Sequence, residues 1–215
     1  MARTEFDKPG ADAISAFLVP SDSPGLTIGK KDRKMGQRGT TTSDVMFDNV
    51  RVPASAIIGL KPGRGFRLAM RVLDRGRIHI AALATGACKR LIAEMTGFAK
   101  ERRQFGKPIA EYQLIQAMIA DSYTEYLASR ALVEQTAAIY DRDGAARTEA
   151  SAAKYFATEA VGRVADRAVQ VHGGAGYMSE YAVERFYRDV RLMRIYEGTS
   201  QIQQLLIARQ ILKEA

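Results

Sequence analysis

The stretch LDRGRIHIAALATGACKRLIAEMTGF, Leu73 to Phe98, decides the fold. Leu73, Ile80, Ala84, Ala87, Leu91, Met95 and Phe98 stand three, four or seven positions apart. That spacing draws one apolar stripe along a helix and does not fit the two-residue period of a strand. Downstream the pattern continues. Ile119, Tyr126, Val133 and Tyr140 recur every seven residues on a helix that follows Pro108, and Asp141-Arg-Asp-Gly144 reads as a turn. Ala146 to Val171 is alanine-rich and stops at Gly173-Gly174. A shorter helix is expected from about Tyr181 to Tyr196, and a last one from near Ser200 to Leu212. Three long antiparallel helices with shorter ones predict an up-down, four-helix-type bundle over 61–215.

Upstream the composition changes. Pro9, Pro20, Pro24, Pro53 and Pro62 lie here, with Pro108 alone beyond. Ala13 to Val19 is an apolar run closed by Pro20, Leu26 to Lys31 follows the turn at Ser23 to Gly25, and Val45 to Val52 ends at Pro53. These read as short strands of a small antiparallel sheet over 1–60, too few to bury a face unaided. The class is α+β, mostly α, with part of a β-domain preceding the bundle.

Composition narrows the function. The chain has 215 residues, 47% of them hydrophobic, enough for a core. No apolar run is long enough to span a membrane, and Met1 to Lys8 has no apolar signal segment. A single cysteine, Cys88, cannot form an internal disulfide, which suits a reducing, cytoplasmic location. His79 and His172 with one cysteine leave a metal site short of ligands, so none is assigned. The net charge is +8, but Lys and Arg alternate with Asp and Glu along the helices, so nucleic acid is not expected as a partner.

Three segments carry chemistry. In Ile195-Tyr-Glu-Gly-Thr-Ser-Gln-Ile-Gln203, Ser200 and Gln203 have capping-box spacing, so Glu197 sits just before a helix beside Gly198. A carboxylate there is a candidate general base, although acids also favour helix N-termini for the dipole alone. In Gln170-Val-His-Gly-Gly-Ala-Gly-Tyr177, glycines let backbone approach a phosphate, or merely stop a helix. His172 by itself reads as a hydrogen-bonding residue of a turn or core. In Glu101-Arg-Arg-Gln-Phe-Gly-Lys-Pro108, Arg102 suits a pyrophosphate or complements a helix C-terminus. Arg185, Arg188, Arg191 and Arg194 read as a solvated, ion-paired helix face.

Taken in order, Leu73-Asp-Arg-Gly-Arg77, Glu101 to Pro108, Gln113, Gln170 to Gly174, Arg188-Asp189 and Glu197-Gly-Thr-Ser-Gln201 resemble the acyl-CoA dehydrogenase family. Lys34 to Arg38 and Val45 to Pro53 resemble the end of that family's β-domain. The likeness runs over about 14–213. It implies FAD at a subunit interface, with Arg102, Gln113, Gln170, Val171, His172, Gly173 and Gly174 serving the neighbouring subunit's cofactor. Thr199, Ser200 and Gln201 would face the chain's own flavin. Asp74, Arg75, Gly76, Arg77 and Gly198 match positions near the acyl-CoA, and Glu197 matches the base.

The family places its base either before the last helix or on the first long helix. Here those positions are Glu197 and Gly76, as in the short- and medium-chain branch, short branched acyl groups included. The resemblance thus implies α,β-dehydrogenation of an acyl-CoA by a homo-oligomer or with a homologous partner chain, with an electron-transferring flavoprotein as acceptor. Full-length members are much longer and carry a flavin-shielding tryptophan, which this chain lacks. The expectation is therefore a C-terminal half: a fragment, a truncated product or one part of a split enzyme. The alternative function is a non-catalytic, partner-dependent helical module.

Overall fold

The structure, a computed structural model, describes residues 1–214. It divides into two compact units, one of residues 1–34 and 38–73, the other of residues 35–37 and 74 onward.

In the first unit β1 (Ala2–Arg3) pairs antiparallel with β2 (Ile14–Ser15), and β3 (Leu26–Ile28) with β4 (Val45–Phe47). The last pairing sets Leu26 opposite Phe47 and Ile28 opposite Val45. An isolated bridge joins Phe17 to Ile57. The expected single sheet is thus two separate ladders, and each strand is shorter than its apolar run. Ser15 is the buried hub: its hydroxyl meets Thr4 Oγ1 at 2.6 Å and accepts the Gly63 amide at 2.9 Å. Ala13 is buried beside it, but Leu18, Ile28, Val45 and Phe47 are all exposed.

The helices follow the stripes. α1 spans Gly65–Glu101. A tight hairpin, β5 (Arg103–Gln104) and β6 (Lys107–Pro108), turns through Phe105 and Gly106, both at positive φ. α2 (Gln113–Asp143) ends at Gly144, which takes a left-handed cap and donates to the Tyr140 carbonyl. α3 (Arg147–His172) ends at Gly173, again at positive φ. α4 (Ala182–Val190) is shorter than its apolar pattern suggests and passes into a 3-10 turn, Arg191–Arg194. α5 is Ser200–Glu214.

The core of the second unit is made mostly of small residues. Ala81, Ala84, Cys88, Leu91, Met95 and Ala99 of α1 cluster with Ala153, Ala157, Val161, Val164, Ala165 and Ala168 of α3. Val183, Val190 and Met193 close the cluster. α2 lies on α3 through another small seam. Ser122, Ser129 and Thr136 are its buried residues, seven apart, while the predicted Ile119, Tyr126 and Val133 are only partly buried beside them. Each hydroxyl donates to the carbonyl four residues back, so burial costs no unmade hydrogen bond. Glu125 then clamps the seam by accepting from Arg163 at 2.6 Å and Arg167 at 2.8 Å.

The arginine comb is not one solvated face. Arg185 and Arg191 are exposed, but Arg188 donates to the Met35 carbonyl at 3.0 Å, and Gln37 donates its amide to Asp189. Arg194 lies against Gly162, where a Cβ would collide with its guanidinium, and pairs with Glu159 at 3.4 Å. Gly162 and Glu159 of α3 and the 35–37 segment therefore engage every second arginine of the comb, Arg194 and Arg188.

Leu91 is fully buried at the centre of the cluster. Leu91→Ala should lower unfolding stability by about 2–5 kcal/mol. Urea denaturation measures this, and a loss under about 1 kcal/mol would mean the α1–α3 core is loosely packed.

Candidate functional site

Two groups of the motif residues come together. The first forms around the loop between the Arg191–Arg194 turn and α5. Glu197 has φ 56° and Gly198 φ 93°, so two successive residues occupy the left-handed region, the first without glycine's freedom. A Cβ on Gly198 would stand 2.6 Å from Gln203 Nε2, which explains its glycine twice over.

The loop holds that shape because its carbonyls are tied from three helices. Gln203 of α5 donates Nε2 to the Glu197 carbonyl at 3.1 Å and the Gly198 carbonyl at 3.0 Å. Lys154 of α3 donates Nζ to the Gly198 carbonyl at 2.8 Å. Arg77 of α1 reaches the Glu197 carbonyl with Nε at 3.4 Å and donates NH1 to Asp74 Oδ1 at 2.7 Å. Arg147 adds a longer pairing to Asp74 at 3.8 Å.

Capping differs from the expected box by one residue. Thr199 Oγ1, not Ser200, accepts the Ile202 amide at 3.3 Å, and Ser200 turns inward to donate to Glu159 at 2.6 Å. The Gln203 side chain serves the loop carbonyls instead of returning to the cap. Ser and Thr cap equally well in sequence, so their order alone does not say which one does it.

Besides Gln203 Oε1, which is also buried without a partner, the group left over is Glu197. Its Oε2 is buried and has no hydrogen-bond donor, and among the described residues no cation pairs with the carboxylate. It occupies room that α1 vacates: a Cβ on Gly76 would lie 2.5 Å from Glu197 Oε2 and 3.1 Å from its Cδ. Buried polar atoms are almost always partnered, so an orphaned carboxylate oxygen marks a place where a proton or a ligand belongs. Arg75 is exposed beside this pair.

Electrostatics around the loop are unusual. Lys154 has 0% of its surface exposed, and burial, with Arg77 adding to it, pulls its amine down to about 8 against the pull of Glu159 and Glu197. Burial also lowers Arg77, with Asp74 opposing, though a guanidinium stays charged throughout. Tyr196, next to Glu197, is raised by burial. Sequence reading missed Lys154 because a lysine among alanines looks solvated. Its register was the signal: Ala150, Ala153, Ala157, Thr158 and Val161 share its buried face.

The second group gathers the end of α1, the hairpin, the start of α2 and the end of α3. Phe98 stacks on His172 with centroids 4.2 Å apart, and Tyr181 meets both rings edge-on. His172 is buried and its Nδ1 donates to the Ala168 carbonyl at 2.7 Å, as the sequence reading of a core histidine has it. Val171 is buried as well. The outward-facing residues of this end are Arg102, Gln113, Gln170, Gly173 and Gly174. Among the described residues the Arg102 side chain has no carboxylate partner, and a Cβ on Gly173 or Gly174 would meet nothing within 4 Å. Phe105 is 95% exposed at the hairpin tip. A free cation, two amides, open glycine backbone and a bare aromatic ring suit a ligand with an anionic and an aromatic part. Thr199 and Gln201 belong with the first group at the start of α5.

Residues 63–212 match the acyl-CoA dehydrogenase C-terminal domain, and the chain belongs to the acyl-CoA dehydrogenase family. It is 47% identical to the probable acyl-CoA dehydrogenase YngJ of Bacillus subtilis over 99% of this chain and 56% of that one. It is 44% identical to the caffeyl-CoA reductase-Etf complex subunit CarC of Acetobacterium woodii, again over 99% and 56%. Among solved structures, butyryl-CoA dehydrogenase from Megasphaera elsdenii superposes with a TM-score of 0.94 at 38% identity, over 98% of this chain and 55% of that one. The chain spans about half the length of these relatives. Among the described residues no helix is long and apolar enough to cross a membrane.

The Lys154 shift makes a prediction with a definite sign. Between about pH 8 and the ordinary lysine value of 10.5 the unfolded chain binds the proton that the folded chain has released. Stability contributed through this group therefore rises with pH across that window, and below it the folded state carries the full cost of a buried cation. The stability difference between Lys154→Met and wild type should shift toward wild type from pH 8 to 10.5. Chemical denaturation at several pH values measures it, and a pH-independent difference would show an ordinary lysine.

Proposed function

We propose that this chain carries the catalytic base and a large share of the cofactor surface of a FAD-dependent acyl-CoA dehydrogenase. The single observation behind this reading is Glu197, whose buried Oε2 has no donor and fills the space left by Gly76. The reaction removes a proton from the α-carbon and a hydride from the β-carbon of an acyl-CoA thioester, leaving a carbon–carbon double bond. FAD, when bound, supplies the hydride acceptor.

Glu197 takes the α-proton on its free carboxylate oxygen. Arg77, Lys154 and Gln203 donate to the loop's backbone carbonyls, so they fix the base without forming an ion pair that would quench it. Asp74 keeps Arg77 in place, and Gly198 leaves backbone beside the base unencumbered by a side chain. Asp74, Arg75, Gly76, Arg77 and Gly198 thus frame the acyl-CoA side of the site, with Thr199 and Gln201 toward the chain's own flavin.

The second group of residues fits the rest of the cofactor. Arg102 would bind the pyrophosphate, Gln113 and Gln170 would hydrogen-bond the adenosine half, and Gly173 and Gly174 would let backbone approach it. His172 and Val171 would shape that loop from beneath, through the Phe98 stack. Arg102, Gln113, Gln170, Gly173 and Gly174 face outward, as does Phe105, which supports a cofactor shared with a second copy or a homologous partner chain. The exposed apolar residues of the first unit support the same expectation of assembly.

The pairing of Glu197 with Gly76 supports short- or medium-chain acyl groups, short branched ones included. An electron-transferring flavoprotein is the proposed acceptor, supported by the relative named as part of an Etf complex, and the cytoplasm is the proposed location.

Glu197→Gln keeps the shape and removes the basicity. Turnover of butyryl-CoA by the assembled, FAD-loaded protein should fall about 10²–10⁴-fold, while acyl-CoA binding by calorimetry persists. Undiminished turnover would remove Glu197 from the mechanism.

Arg102→Ala should weaken FAD binding about 10- to 150-fold, the worth of one charged hydrogen bond. Fluorescence titration of flavin reads this out. Equal affinity would leave Arg102 as a helix-end cation only.

A further inference from the structure

We infer that Lys154 is a positioning residue for Glu197, acting through the Gly198 carbonyl. The inference rests on the reading of Glu197 as the base.

Lys154 sits in the middle of α3 with no exposed surface, among Ala150, Ala153, Ala157 and Val161. A buried ammonium is costly, and an apolar side chain of the same length would fill the place more cheaply. Its observed bond explains its presence. Nζ donates at 2.8 Å to the carbonyl of the residue that follows Glu197, across to a different helix terminus. That bond is the shortest of those made to the loop carbonyls and the one whose donor is a point charge on an otherwise apolar helix face.

The bond opposes the relaxation of a strained backbone. Glu197 holds a left-handed backbone that its side chain disfavours, and such a residue relaxes unless its surroundings hold it. Rotation toward the ordinary extended region would swing the carboxylate out of the space beside Gly76. The Gly198 carbonyl is the point where such rotation is resisted, since Lys154 and Gln203 both donate to it. Lys154 also leaves the carboxylate itself free, because its charge is spent on a backbone oxygen. Arg77, Glu159 and Glu197 are the charged groups that face it.

The test uses the whole chain, labelled with ¹³Cδ-glutamate, in wild type and Lys154→Met. The Glu197 resonance is assigned by its loss in Glu197→Gln. With the clamp removed, that resonance should broaden or move, and amide exchange at Ile202 and Gln203 should quicken about 10-fold or more. A second variant guards against simple misfolding: Lys154→Cys in a Cys88→Ala background, compared before and after alkylation with bromoethylamine in the unfolded state and refolding. Alkylation displaces bromide, rebuilds a lysine-like ammonium and should restore both signals. In FAD-loaded protein Lys154→Met should lower kcat about 10-fold or more with KM for acyl-CoA unchanged.

An unchanged Glu197 resonance and unchanged exchange in Lys154→Met would overturn the inference, as would failure of alkylation to restore them, or an unaltered kcat in an active protein. Glu197→Gln separates the two readings. It should keep wild-type exchange at Ile202 and Gln203, because the Gly198 carbonyl is untouched. If Glu197→Gln retains turnover while Lys154→Met still disturbs the loop, the base assignment fails and the clamp stands.

Discussion

The structure turns on the anchoring of two backbone carbonyls. The Glu197 and Gly198 oxygens accept from Arg77, Lys154 and Gln203, which come from α1, α3 and α5. Each donor is largely buried, so each bond operates in a medium where it is stronger than in water and where its loss would strand a polar group. The outcome is a loop whose two carbonyls are engaged while Oε2 of the Glu197 carboxylate is not. A carboxylate pinned by its own cations would be a structural ion pair. Here the cations are diverted to the backbone, and the carboxylate remains available.

Much of the bundle serves that arrangement by supplying small residues where other groups must come close. Gly76 makes room for the Glu197 carboxylate, Gly162 for the Arg194 guanidinium, and Gly198 for the Gln203 amide. The alanine face of α3 and the hydroxyl seam of α2 let the helices approach closely enough for donors on α1 and α3 to reach one loop. Arg194 and Ser200 both engage Glu159, which ties the segment on either side of Glu197 back to α3. The second group of residues, from Arg102 to Gly174, is built differently. Its interior is an aromatic stack of Phe98, His172 and Tyr181, and its exterior presents a cation, two amides and glycine backbone.

The helices were legible because the apolar spacing of α1 and α2 runs for many turns and α3 is an unbroken alanine-rich run. Gly144 and Gly173 marked two helix ends, and both adopt the positive φ that the reading requires. The strands were not legible as pairs. Runs such as Val45 to Val52 state that a residue is extended, not which neighbour it meets, and the structure gives two short ladders in place of a sheet. At the site, Glu197 and Gly76 could be singled out in sequence by family likeness, but not the reason they belong together, which is that a Cβ at position 76 would stand 2.5 Å from Glu197 Oε2. Lys154 and the inward turn of Ser200 depend on register and on long-range partners, which local patterns do not carry. The arginine comb was legible in part: Arg188 pairs with Glu184 one turn back, but Arg188 and Arg194 also find partners far away in the chain.

The central claim is that the free oxygen of Glu197 is the proton acceptor. A crystal structure of the assembled protein with FAD and a non-reactive acyl-CoA analogue measures this most directly, as the distance from Glu197 Oε2 to the substrate's α-carbon. The account predicts about 3–3.5 Å, the separation of reacting atoms poised for transfer, with Lys154 still on the Gly198 carbonyl. A carboxylate turned away from the α-carbon, or drawn into an ion pair with Arg77 or Lys154, would contradict it.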